Sequence, residues 1–140
     1  MPENTENSQE TMERAQQDLR EGKRPSTAAG EFVHEEIEHV RKGKHGARST
    51  KQAIAMGLSK ARRAGVPLKP PGKGKAGEKT RSSAEKAYET GQGKRSPKAP
   101  SAKRSAAVSE HMKREPRGAA SKKALSAQAK QAAAKRKRRR

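Results

Sequence analysis

Large apolar side chains are sparse along this chain, and two short stripes contain the ones that repeat at helical spacing. Val33, Ile37 and Val40 stand at i, i+4 and i+7, with Ala29 on the same side and Phe32 on its flank. Ile54, Leu58 and Ala61 repeat the spacing further on; three such positions share one narrow helical face. The second stripe has both ends written beside it. Ser49 with Gln52 three residues on forms a capping box, Gly65 suits a left-handed cap onto which Val66 can fold back, and Pro67 forbids continuation. Lys60, Arg62 and Arg63 sit where the carbonyl end of a helix favours cations. The first stripe follows the Arg24-Pro25 break, with a cap at Ser26-Thr27, and ends near Lys42-Gly43. Glu35, Glu38 and Lys42 face outward from it, Gln52, Lys60 and Arg63 from the second. Each stripe is too narrow to stand alone in water. Packed across the Gly43–Arg48 turn, the two predict a helical hairpin over residues 26–66 with the core Phe32, Val33, Ile37, Val40, Ile54, Leu58 and Ala61.

Outside the hairpin the apolar pattern fades. Residues 1–25 are polar and acidic, and without an apolar face they read as a solvated disordered arm. Residues 67–100 scatter five prolines among Gly, Lys and Ser, the signature of an extended basic linker with at most a helical turn near Ser83–Glu89. Residues 101–140 form a basic, helix-prone tail: a short helix from Ser101 stopped by Pro116, then a run of strong helix formers from Ser121 to the C-terminus. The fold expected is mostly disordered with α-helical segments, a small helical hairpin followed by a long basic tail with a C-terminal helix.

Composition sharpens that expectation. Hydrophobic residues make up 28% and aromatic ones 1% of 140 residues, with a net charge of +20, a balance typical of chains that cannot bury enough apolar surface to fold. Cysteine is absent, which removes disulfides and thiolate metal sites and gives no sign of secretion. No apolar run reaches membrane-helix length, so membrane insertion is not expected. Charge is segregated: residues 1–40 hold ten acidic and four basic side chains, residues 41–140 five and thirty-one. A polyanion is the expected partner of the longer part, nucleic acid foremost and DNA ahead of RNA. The contacts expected are Lys135, Arg136, Lys137, Arg138, Arg139 and Arg140, then Lys122, Lys123, Arg62, Arg63, Lys60 and Lys51. The alternatives are a protein-interaction module, whose hairpin docks on a partner or a second copy while the tail localises it, and an RNA- or ribosome-associated protein.

The stretch Lys51-Gln-Ala-Ile-Ala through Ala61-Arg-Arg-Ala-Gly65, preceded by His34-Glu35 and Arg41-Lys-Gly-Lys44, resembles a family of small basic bacterial proteins of unassigned function. The resemblance implies a bacterial cytoplasmic setting and transfers no catalytic residue. Around Arg95-Ser-Pro-Lys98 the tail is similar to linker histones and the Lys/Ala/Pro-rich proteins that resemble them. Together these point to a nucleoid-associated or stress-type protein, with the nucleus as its location in a eukaryotic source.

Sharper chemistry is set aside on spacing. A helix-turn-helix reader lacks a third supporting helix and has cations scattered around its second one. Base stacking has only Phe32 and Tyr88 to work with. His34 and His39 are five apart, about 140° around a helix, so they cannot share a metal ion, and the histidines read as surface residues. Gly72 to Thr80 nearly spells a phosphate-binding loop, but Glu78 interrupts it and no strand precedes it. No enzyme, cofactor or metal is expected.

Overall fold

The computed structural model describes residues 2–72, 74–96 and 101–138, with side chains from residue 9 onward. The described residues form α1 (Pro2–Arg20), α2 (Pro25–Arg41), α3 (Thr50–Arg63), α4 (Glu78–Gly91), α5 (Ala102–Arg114), a 3₁₀ turn (Gly118–Ala120) and α6 (Lys122–Arg138). The expectation of a mostly disordered chain is therefore overturned: helices occupy both the acidic arm and the basic linker as well as the tail. The reason lies in which side chains are buried. Among the described residues, nine of the thirteen buried hydrophobic ones are alanines, which cost almost no side-chain entropy to order and let helix backbones approach closely. Large apolar residues, on which the disorder expectation rested, are a minority of this core.

Two compact units divide the chain, each assembled from two separate segments: residues 1–35 with 55–99, and residues 36–54 with 100–140. In the first, Ala15 of α1, Ala28, Ala29 and Phe32 of α2, Ala61 of α3 and Val66 form one core, flanked by Leu19, Leu58, Ala64 and Leu68. Helix α1 docks through Thr11, Ala15 and Asp18, an i, i+4, i+7 face of small and polar side chains. Helix α2 begins at Pro25 itself, whose missing N–H costs nothing at the first helical position. Its central apolar residue is Phe32, on the flank of the stripe read from sequence, while Val33 is half-buried. Gly57 of α3 lies against Val33, where an added Cβ would meet the Val33 Cα at 2.5 Å.

The ends of α3 form as its sequence predicts. Ser49 Oγ accepts from Gln52 N at 3.2 Å, while Gln52 Oε1 reaches back to Arg48 N at 2.6 Å. Gly65 adopts φ +104°, and Val66 N returns to Ala61 O at 3.0 Å. Helix α4 replaces the extended linker across residues 78–91. It buries Ala84 and Ala87, and its last residue, Gly91, abuts the Arg62 carbonyl too closely for any side chain. Residues 97–100 of the expected linker lie outside the described residues.

The second unit is organised around the end of α2. Gly43, at φ +77°, closes the helix with Gly43 N to Val40 O at 3.1 Å and Lys44 N to His39 O at 3.0 Å. The chain then turns back and is pinned by backbone bonds from Gly46 N to Met112 O (2.7 Å) and Ala47 N to Pro116 O (3.0 Å). Arg41 Nε donates to Ala120 O at 2.8 Å, and Thr50 Oγ1 to Ala119 O at 2.6 Å. Glu35, expected on an outer face, is buried, as are Glu36 and His39, while His34, Glu38 and Arg41 keep one side of this half of α2 toward solvent. Ser101 caps α5 and Ser121 caps α6 through their hydroxyls.

Candidate functional site

The cations singled out from sequence do not form a single set. In α6, Lys122 and Lys123 occupy the first turn and Lys135, Arg136, Lys137 and Arg138 the last, all exposed. Arg139 and Arg140 lie outside the described residues. Seven cations and no carboxylate stand along the 17 residues of α6. Its half-buried positions, Ala124, Leu125, Gln128 and Ala132, keep to one side, so the cations stay in solvent. Helix α5 adds Lys103, Arg104, Lys113 and Arg114, all exposed, which the sequence reading did not single out. Lys51 and Arg63 are exposed and Lys60 is half-buried.

Arg62 is not available to a ligand. It is 7% exposed, and its guanidinium donates to Leu68 O at 3.1 Å and Lys69 O at 3.3 Å, tying the segment after α3 back onto the helix. Burial lowers its pKa from the ordinary value, yet an arginine keeps its charge throughout. Sequence placed it with the surface cations because a charge on a basic helix is normally solvated. A cleft of about 360 Å³ beside it is walled by Ala55, Leu58, Ser59, Lys79, Ser83 and Ala84 and offers no paired acid and base.

Charge separates by unit. The first unit holds 16 basic and 11 acidic residues and the second 19 and 4, so +15 of the net +20 belongs to the second.

The second unit also gathers the one group of three potential metal-ligating side chains found among the described residues: Glu36, His39 and His45. Glu36 and His39 are i and i+3 on α2, on one face. His45 is brought back over that face by the turn at Gly43. His34, the histidine paired with His39 in the sequence reading, is exposed and plays no part. The legible signal was Glu-x-x-His followed by a glycine stop and a second histidine; only the direction of the chain after Gly43 makes it a cluster.

No helix of the described residues is long and apolar enough to cross a membrane. Comparison of the chain with protein-family profiles, curated proteins and solved structures finds no match in any of the three.

Proposed function

We propose that the chain binds nucleic acid through the phosphate backbone, without sequence preference, using the exposed cations of α5 and α6, and that duplex DNA is the preferred form. The observation that carries this reading is the uncompensated charge of α6, seven cations with no carboxylate, all held in solvent. A lysine or arginine meeting a phosphate releases condensed counterions, so such a helix needs no pocket to bind a polyanion. Its alanine-rich body is slim, and the B-DNA major groove, about 12 Å wide, admits a helix. The deep, narrow groove of A-form RNA does not, which sets duplex DNA ahead of duplex RNA.

Fluorescence anisotropy of the full chain with a 30-base-pair duplex, repeated across a salt series, tests the reading. For about ten phosphates engaged, log K should fall with log [salt] at a slope near −9, with equal affinity for two unrelated sequences and weaker binding to duplex RNA. Absence of binding at low ionic strength, or a slope near zero, refutes it.

A further inference from the structure

We propose that Glu36, His39 and His45 form a binding site for one zinc-class divalent ion, contrary to the absence of metal expected from the sequence. The site would staple the turn after α2 to the helix that precedes it.

Both histidines converge on one carboxylate at distances open to ion pairing and to coordination alike. His39 Nδ1 lies 3.6 Å from Glu36 Oε1, and His45 Nε2 lies 3.3 Å from Glu36 Oε2. Charge-assisted hydrogen bonds to a carboxylate are shorter, about 2.7–2.9 Å. Ligand atoms about 2.0–2.2 Å from a tetrahedral zinc stand about 3.3–3.6 Å apart; the two contacts are of that length but end on different carboxylate oxygens, so an ion held by a single Glu36 oxygen requires a small rotation of the carboxylate. One ligand atom from each residue falls within 4.8 Å of the other two, and the imidazole rings meet edge to face with centroids 6.1 Å apart.

The tautomer also fits. His45 Nδ1 is 2.9 Å from Gly46 O, and since a carbonyl only accepts, Nδ1 carries the proton. Nε2 therefore presents a lone pair toward the carboxylate unless a second proton or a cation lies between them. A ligating histidine that donates its other N–H to a backbone carbonyl is the usual outer-shell arrangement of a metal site. A Glu-x-x-His pair at i and i+3 is likewise a known way for one helix to aim two ligands at one ion.

The surroundings hold the ligands in place. The Glu36 side chain is 2% exposed, that of His39 10% and that of His45 21%, so His45 is the most open of the three. Gly46, next to His45, abuts the Glu115 backbone so closely that no side chain could be added, and its N–H is bonded to Met112 O. His45 is thus carried by a fixed backbone. Three protein ligands leave a fourth position for water. One carboxylate and two neutral imidazoles carry a single negative charge against the two positive charges of the ion, offsetting the cost of burying Glu36. With no cysteine in the chain, an ion here would supply a cross-link that disulfides cannot.

The test is calorimetric titration of the chelator-treated full chain with Zn²⁺ alone, and separately with Co²⁺ followed by visible absorption. One Zn²⁺ per chain is expected, with a tetrahedral Co²⁺ spectrum and a rise in Tm as ion is added. His45→Ala should weaken binding by more than the roughly 10–100-fold that loss of an outer-shell partner costs, and should abolish the rise in Tm. His34→Ala and His111→Ala should change neither. If His45→Ala loses helical circular dichroism, Glu36→Gln, which keeps the side-chain shape, provides the same reading. Failure of the unaltered chain to take up Zn²⁺, uptake that survives both His45→Ala and Glu36→Gln, or uptake lost with His34→Ala or His111→Ala overturns the site. Nucleic-acid binding involves none of these residues, so its presence or absence leaves this result unaffected.

Discussion

At the scale of single residues, two glycines make opposite predictions that composition cannot distinguish. Gly46 faces the Glu115 backbone, where a Cβ would collide with a carbonyl that cannot swing away. Gly46→Ala should destabilise the chain by about 2 kcal/mol or more, as overpacking against fixed backbone does, seen as a lower midpoint in urea. Gly30 lies inside α2 with open space around it. Gly30→Ala should stabilise by about 0.5–1 kcal/mol through helix propensity alone. A third residue-scale effect concerns the turn after α1, where Lys23 Nζ meets Asp18 Oδ1 and Glu21 Oε2, each at 3.1 Å. Hydrogen bonding to Lys23 and then Gln17 lowers the Glu21 pKa from 4.5, while bonding to Asp18 and then Glu21 raises that of Lys23 from 10.5. A lowered carboxylate pKa stabilises the fold above 4.5 and loses that contribution as pH falls through the folded value. A raised lysine pKa stabilises it below 10.5 and loses that contribution as pH rises through the folded value. Lys23→Met removes the lysine contribution and the larger cause of the Glu21 one, leaving the Gln17 bond, so its urea midpoint should vary less with pH at either extreme than that of the unaltered chain.

At the scale of elements, α1 and α4 show how a helix can be fixed without large apolar side chains. Thr11, Ala15 and Asp18 are the buried face of α1, and Ala84 and Ala87 that of α4. Neither stripe stands out in a search for Val, Ile, Leu and Phe at helical spacing, because alanine occurs on both faces of many helices. The docking of α1 depends on close approach at Ala15. Ala15→Glu, which introduces an unpaired charge there, should therefore strip hydrogen-exchange protection from residues 11–20. By contrast α3, with its capping box and glycine stop, was legible from end to end, since those signals act within a few residues of the backbone groups they satisfy.

At the scale of the whole molecule, the charge lies mostly in one of two units, and each unit is woven from two distant stretches of chain. If the second unit carries nucleic-acid binding, charge-matched variants should differ. Replacing Lys103, Arg104, Lys113 and Arg114 with Gln should reduce the magnitude of the salt slope by about 3–4. Replacing Lys75, Lys79, Lys86 and Lys94 of the first unit, equally four cations, should leave it nearly unchanged. The sequence alone determined the two central helices, the limits of α3, the helical character of the C-terminal run and the large positive charge, because periodicity, capping and net charge are local or additive. Only the tertiary structure decided that the N-terminal arm and the middle segment are helical, that Arg62 is internal, that Phe32 rather than Val33 is central to α2, and that His45 joins Glu36 and His39. Those outcomes depend on which small side chains meet across space and on where a turn sends the chain, and neither quantity is carried by any single window of sequence.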